Sequence, residues 1–252
     1  MAKKVYGKCC ICGENKKLTF EHIPPRAAFN SFGIKLYDFF GYLLENNRKY
    51  SNLQNGAGKY TLCADCNNLT GTWYGAAYAE FAVQGMRYYK QKANGIVSIP
   101  YTIYPLRVFK QVVSCFASIN GAEWCEQNPA IKNFLLNPYE RAFPTSMDIR
   151  MYMQTGKRSK ISPWEANMNV ITGERFFGSE FGYTPFSFIY VDDKSSTYFR
   201  VLKELYPVKN FLNYGYDDRV TLYIKMPRKP CNPITLDFRE GIPDVETIIQ
   251  SK

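Results

Sequence analysis

The segment CCICGENKKLTFEH, residues 9–22, contains both kinds of residue on which the fold of this chain depends. Cys9 and Cys12 are separated by two residues, a spacing that lets a tight turn present both thiols to one metal ion. The turn-forming run GEN follows, and an extended stretch then ends at Glu21 and His22, the single histidine of the chain. We therefore predict a metal-binding knuckle that continues into a short β-hairpin.

A second cysteine pair with the same spacing lies in LCADCN, residues 62–67. Four thiolates complete a tetrahedral zinc site, and such a closed site is structural because no coordination position remains for a substrate. The paired spacing predicts one structural zinc ion on Cys9, Cys12, Cys63 and Cys66. Cys10 could replace Cys9 in principle, but only Cys9 gives the two-residue spacer. The scattered cysteines are predicted to be buried thiols: Cys115, Cys125 and Cys231.

The composition limits the class of protein. The chain has 252 residues, 46% of them hydrophobic, which is enough for a sizeable core and excludes a mainly disordered chain. It contains no apolar run of about 18 residues and no signal peptide at its start, so we expect a cytoplasmic protein that does not enter membranes. In that compartment cysteines more often bind metal or lie buried than form disulfides.

The positive charge is unevenly distributed. The net charge is +10, and residues 1–160 carry 21 Lys and Arg against 10 Asp and Glu. Residues 161–252 carry 11 against 12, so the excess lies wholly in the first part. A basic excess favours a polyanionic partner such as nucleic acid, because phosphate contacts release counterions. Solubility alone is an equally good explanation of this charge.

The surroundings of the histidine indicate a reaction. Hydrolysis of a phosphodiester needs a base to activate water and a divalent cation to neutralise the phosphate and the leaving oxygen. Glu21 and Asn67 offer hard oxygen atoms of the kind that magnesium prefers. His22 would supply the base. Arg26 follows closely and could contact a phosphate, although a solvated arginine is the more common case.

Three motifs taken together, CCIC, EHIPP and LCADCN, resemble the HNH (His-Me finger) endonucleases over about residues 9–85. The Asn directly after the last cysteine is similar to the Holliday-junction resolvases of the endonuclease VII class. The resemblance implies a zinc-braced ββα-metal module, which is treble-clef-like, with Mg²⁺ or Mn²⁺ on Glu21 and Asn67 and with His22 as the general base. Many members have Asp in place of Glu21, and the second histidine of some members is absent here.

The resemblance also implies DNA as the more frequent substrate, RNA as the alternative, and a role in bacterial antiviral defence. Two other functions stay open at this point. The zinc fold could be a non-catalytic module that binds nucleic acid or a protein, or the chain could be a nuclease subunit that is active only with a partner ATPase.

The chain divides near Asn94–Gly95 into two predicted domains. Residues 1–95 form the HNH module, in which residues 30–60 are an insertion with an amphipathic helix near Leu36–Leu44. Residues 96–252 form a regulatory or substrate-positioning α+β domain, with a helix over PLRVFKQVVSCFASING and alternating strands such as DIRMYMQT. We expect an α+β fold whose second domain has a mainly antiparallel sheet.

Overall fold

Strands from both halves of the chain form two sheets in this computed structural model. It describes residues 4–37, 50–54, 56–89, 95–155, 158–168, 175–191, 202–230 and 239–240. The strands, numbered along the chain, are β1 (Val5–Lys8), β2 (Asn15–His22), β3 (Ile34–Tyr37), β4 (Tyr50–Leu53), β5 (Gly58–Cys63), β6 (Ile96–Ile103), β7 (Asp148–Thr155), β8 (Arg158–Met168), β9 (Arg175–Tyr183), β10 (Phe186–Val191), β11 (Tyr206–Pro207), β12 (Val220–Pro230) and β13 (Arg239–Glu240).

The smaller sheet has the order β1-β2-β5, and both of its pairings are antiparallel. The predicted hairpin is confirmed, and the cysteine knuckle is itself the turn that joins β1 to β2. Gly13 has φ +80° in that turn, a conformation that glycine adopts at little cost.

The larger sheet has the order β4-β3-β13-β8-β9-β10-β7-β12-β6, with β11 added beside β7. Its described pairings are antiparallel except that of β12 with β7. Strand β10 is buried along its whole length between β9 and β7, which agrees with its continuous apolar sequence FSFIYV.

Helices follow the second cysteine pair and fill the middle of the chain. They are α1 (Ala64–Thr70), a π-helical turn (Gly71–Gly75), α2 (Ala76–Tyr89), α3 (Pro105–Asn120), α4 (Ala122–Gln127) and α5 (Pro129–Leu136). Proline begins α3 and α5, where its missing N–H costs nothing, and Gly121 with φ +90° ends α3. Within the described residues, every helix is too short or too polar to cross a membrane.

Helix α3 lies at the centre of the core. From Pro105 to Ile119 its side chains are buried with the sole exception of Arg107. Phe116 packs edge-on against Phe181 of β9 at 5.1 Å between ring centroids, and Phe109 packs against Phe134 of α5 at 5.7 Å. The buried residues on the two sides of residue 95 form one continuous cluster.

These observations settle some expectations about the fold. The α+β class and the mainly antiparallel sheet are confirmed. The helix predicted to begin at Leu36 is wrong at its start, because Leu36 lies in β3 and pairs with β4, and residues 38–44 lie outside the described residues. The division into residues 1–95 and 96–252 stays a prediction, and the large sheet and the core contain residues from both ranges.

Lys110 is a charged residue inside this core. Its side chain is fully buried, and its amine donates hydrogen bonds to the carbonyls of Phe134 and Asn137 at the end of α5. The carbonyl of Phe134 has no partner within its own helix because Pro138 follows in the position of its donor, so the amine satisfies it, while the carbonyl of Asn137 also accepts from the amide of Glu140 at 3.1 Å. Burial also disfavours the charged amine and lowers the pKa of Lys110 to about 7.

This lowered pKa predicts a pH dependence of stability. Between about pH 7 and 10.5 the unfolded chain keeps the Lys110 proton that the folded chain has lost, so the free energy of unfolding rises with pH through this residue. In urea unfolding, the free energy of unfolding of wild type minus that of Lys110→Met should increase as pH rises from about 7.5 to about 9.5. The increase should be at most about 1.4 kcal/mol per pH unit.

The comparison with Lys110→Met cancels the titration of the thiols, which both proteins share. Lys203→Met removes an exposed lysine and should leave a difference from wild type that does not change with pH. A constant difference for Lys110→Met as well would contradict a lowered pKa at Lys110.

Candidate metal centre and active-site cleft

The four predicted cysteines meet in one cluster. The sulfur atoms of Cys9, Cys12, Cys63 and Cys66 all lie within 4.8 Å of one another, and those of Cys12 and Cys63 are 3.9 Å apart. Sulfurs on a tetrahedral zinc ion are separated by about 3.8 Å, given a Zn–S bond of about 2.3 Å. The cluster is therefore positioned to bind a metal ion, and its all-sulfur donor set suits zinc.

Backbone hydrogen bonds hold the cluster in place. The amide of Cys63 donates to the sulfur of Cys9 at 3.3 Å, and the amide of Gly13 donates to the carbonyl of Cys9 at 2.9 Å. A hydrogen bond from the Cys66 thiol lowers the pKa of Cys9, and the same bond raises the pKa of Cys66. A bare cluster thus favours one thiolate beside neutral thiols, whereas a divalent cation allows all four to ionise.

The remaining cysteines behave as predicted where the structure describes them. Cys115 and Cys125 are buried free thiols outside the cluster, as predicted, and Cys10 is also buried while Cys9 is the residue that joins the cluster. Cys231 lies outside the described residues.

Glu21 and His22 end strand β2 beside β5. A bulge interrupts the pairing between Thr19 and Phe20, and bulges re-aim the side chains that follow them. Close approach of the strands continues at Gly58, where an added Cβ would lie 2.2 Å from the carbonyl oxygen of Glu21. A side chain at residue 58 would push the end of β2 away, so glycine is needed there for the observed position of Glu21.

Asn67 lies in the first half of α1, directly after the last cysteine of the cluster. Its amide nitrogen donates to the hydroxyl of Thr19 at 2.8 Å, and that hydroxyl donates to the carbonyl of Leu62 at 2.9 Å. This chain of hydrogen bonds fixes the amide across β2 and β5. Because the nitrogen is engaged, the amide oxygen of Asn67 remains available as an acceptor or a metal ligand.

One small cleft brings together every catalytic residue predicted from the sequence. Its volume is about 220 Å³, and its lining includes Glu21, His22, Arg26 and Asn67. Glu21 is only 6% exposed, while His22 and Asn67 are half-buried and Arg26 is exposed. The structure therefore places a carboxylate, an imidazole, an amide and a guanidinium around one space.

Burial gives Glu21 an unusual electrostatic situation. Desolvation raises the pKa of its carboxyl to about 8, and among the described residues it forms no ion pair. An ionised carboxylate in such a place is stabilised by a cation. The oxygen donors at this cleft are hard, so its residues fit Mg²⁺ or Mn²⁺ and not the softer ion that suits the cysteine cluster.

The loop that carries Arg26 is tied down by Asn30. This residue is fully buried and donates to the carbonyls of Pro24 and Ala57, both at 2.7 Å, while its own oxygen accepts from the amide of Ala57 at 2.7 Å. Tyr183 of β9 donates to the carbonyl of Phe29 at 3.0 Å, so the loop is also fixed to the large sheet. Arg26 therefore projects from a well-supported segment.

A larger cleft lies on the other side of the histidine. Its volume is about 560 Å³, and it shares Phe20, His22 and Arg26 with the small cleft. The rings of Phe20 and Tyr60 pack at 5.4 Å, and Tyr60 is 46% exposed. Polar side chains on the rest of the wall are Ser31, Asn52 and Gln54, so the surface offers flat rings and hydrogen-bonding groups next to His22.

Two features of the site were not predicted from the sequence. Gln111 of α3 lines the small cleft although it is 44 residues after Asn67 in the chain. Phe20 and Tyr60 line the large cleft. The sequence carries no distinctive signal for Gln111, because its helix also contains Lys110, Ser114 and Ser118 as buried polar residues. Tyr74 and Tyr78, which follow the second cysteine pair, are buried core residues and do not line either cleft.

Comparison of the chain with family models, with curated proteins and with solved structures found no match.

The geometry of the thiol cluster predicts its metal content. Wild-type protein purified without added metal should contain one zinc ion per chain, measured by inductively coupled plasma mass spectrometry. Cys63→Ser should lose the zinc and the folded structure around β1, β2 and β5, because three thiolates cannot close the site.

Cys125→Ala is the matched control, since it removes a buried thiol near the cluster that is not part of it. It should keep a full zinc ion. Well-folded wild-type protein without any zinc would contradict the assignment of this cluster as a structural zinc site.

Proposed function

We propose that this protein is a metal-dependent endonuclease that hydrolyses phosphodiester bonds, with DNA as the preferred substrate. The observation that carries the proposal is the small cleft, in which Glu21, His22 and Asn67 lie together beside a four-thiol cluster. The three residues come from a strand end and a helix that the cluster connects. The arrangement supports the resemblance of the CCIC, EHIPP and LCADCN motifs to HNH endonucleases.

His22 acts as the general base in this proposal. It lines both clefts, so in this proposal it borders the space for the phosphodiester in the larger cleft and the space for the cation in the smaller one. The ring packs edge-on against Phe20 at 5.0 Å between centroids, which restricts its orientation. A fixed imidazole next to the attacking water accepts its proton as the bond to phosphorus forms.

Glu21 and Asn67 hold the catalytic cation through their oxygen atoms. The carboxylate supplies the charge and the amide supplies a second, neutral ligand that the hydrogen bond to Thr19 orients. A bound Mg²⁺ or Mn²⁺ supplies the charge that neutralises the phosphate and the leaving oxygen. Arg26 is exposed at the junction of the clefts and contacts a phosphate of the substrate in this proposal.

The larger cleft accommodates the nucleic acid. Phe20 and Tyr60 offer rings on which bases can stack, and Asn52 and Gln54 offer hydrogen bonds to sugars or base edges. Zinc on the four cysteines braces the site and takes no part in the reaction, since its ligand shell is closed. A role in bacterial antiviral defence follows from the same resemblance.

The central prediction concerns cleavage of plasmid DNA by the purified full chain with Mg²⁺ or Mn²⁺. His22→Ala should keep the zinc and DNA binding but lose cleavage by about 10² or more, which is the usual scale for a general base. Glu21→Ala and Asn67→Ala should also be folded and weak. Excess Mn²⁺ should partly restore both of them but not His22→Ala, because only they lose metal affinity.

Exposed neighbours provide matched controls for these variants. Glu14→Gln changes a carboxylate on the same hairpin, and Asn68→Ala changes the amide next to Asn67, and both should cleave like wild type. Full cleavage by His22→Ala would remove this residue as the base. DNA binding without cleavage would favour a binding module, and cleavage only with a partner ATPase would favour a controlled subunit.

The basic first part of the chain predicts electrostatic binding of nucleic acid. The affinity of His22→Ala for a DNA duplex should fall steeply as salt rises from about 50 to about 200 mM, measured by fluorescence anisotropy in salt steps of about 50 mM. Adding Arg26→Ala should weaken binding and reduce the salt slope by about 1, as expected for one lost phosphate contact. Lys225→Ala, an exposed change on β12, should leave the slope unaltered. An affinity that ignores salt would contradict this mode of binding.

A further inference from the structure

Helix α3 contains a buried oxygen atom that lacks a hydrogen bond. Gln111 is 1% exposed, and its side-chain nitrogen donates to the sulfur of Cys115 at 3.7 Å. Its oxygen, Oε1, has no hydrogen-bond partner in the described part of the chain. A buried acceptor without a partner is destabilising, so such an atom in a folded protein calls for an explanation, and an unseen ion is one.

The position of Gln111 indicates which ligand that is. It lines the small cleft together with Glu21, His22 and Asn67. A Cβ built on Gly75 would lie 3.6 Å from Oε1, so the oxygen faces the π-helical turn whose first residue, Gly71, also lines the cleft. Single π-helical turns are frequent at functional sites, and here Gly75 at the end of the turn leaves room for the amide of Gln111.

Two other residues of α3 sharpen the comparison. Ser114 and Ser118 also have buried hydroxyl oxygens without a partner, but neither lines the cleft. A serine hydroxyl in a helix can rotate to the carbonyl four residues earlier, which offers it a local partner. An amide oxygen can only accept, and it needs a donor or a cation in front of it.

We propose that Oε1 of Gln111 is a third oxygen ligand of the cation that Glu21 and Asn67 hold. The inference rests on the proposed function only in taking this cleft as a cation site. One carboxylate and two neutral amides form a hard donor set that suits Mg²⁺ or Mn²⁺. The site is then assembled from β2, α1 and α3, and it includes a residue from beyond position 95.

The test is binding of Mn²⁺ alone to the zinc-loaded full chain. The concentration of free Mn²⁺ is measured by electron paramagnetic resonance. Gln111→Met removes the oxygen and keeps the length of the side chain, and it should weaken Mn²⁺ binding by about 10-fold or more. Gln111→Glu keeps an oxygen and adds charge, so it should bind Mn²⁺ more tightly than wild type. Without Mn²⁺, the unfolding temperature of Gln111→Met should equal or exceed that of wild type, because an unpaired buried oxygen is gone.

Two reference variants make the outcome decisive. Ser118→Ala removes another unpaired oxygen from the same helix and should leave Mn²⁺ affinity unchanged, whereas Glu21→Gln should abolish binding. Unchanged Mn²⁺ affinity in a folded Gln111→Met would overturn the assignment of Gln111, even if the protein cleaves DNA. Weakened Mn²⁺ binding in a protein that cleaves neither DNA nor RNA would support the ligand and overturn the nuclease.

Discussion

The cross-link between two short segments by four thiols determines the geometry of everything proposed for this protein. Cys9 and Cys12 lie in the turn before β2, and Cys63 and Cys66 lie where β5 passes into α1. Asn67 follows the last cysteine directly, and Glu21 and His22 lie at the far end of β2, paired with Lys59 and Gly58 of β5. A metal ion bound to the four cysteines would therefore set how α1 stands relative to β2, and with it the separation of the amide from the carboxylate. Removing the metal would disturb the small cleft although no cysteine lines it.

The buried carboxylate of Glu21 is a second constraint on the site. Thiolates at the cluster reduce one another's tendency to ionise, and Glu21 is kept neutral by desolvation near neutral pH. Each group is stabilised as an anion by a cation of its own kind, soft at the sulfurs and hard at the oxygens. In the proposed function the chain would separate two metals by donor chemistry, and a chelator would remove the weakly held ion at the oxygens while leaving the ion in the closed thiolate shell.

Local patterns predicted the parts of the fold that local interactions decide. The CxxC spacing predicted the thiol cluster, and the helical pattern of PLRVFKQVVSCFASING predicted the helix that forms over Pro105–Asn120. Pairings between distant segments could not be foreseen. Strand β13, only two residues long, lies between β3 and β8 and pairs with both. Leu36 of β3 therefore belongs to a sheet whose other strands are far away in the sequence. Gln111 escaped for the same reason, since its function depends on which residues α3 packs against.

Contacts between the two halves of the chain attach the segment with the four cysteines to the helices that follow it. Tyr74 donates to the carbonyl of Leu135 at 2.8 Å, and Lys59 donates to that of Ile119 at 3.2 Å. The π-helical turn before α2 and strand β5 are therefore both attached to helices beyond residue 95. Buried residues of this segment share one core cluster with the later part of the chain. The small cleft is lined in part by Gln111 of α3, and the loop that carries Arg26 is held by Tyr183. The later half of the chain is therefore part of the wall of the site, and changes in its core are expected to alter the reaction as well as the stability.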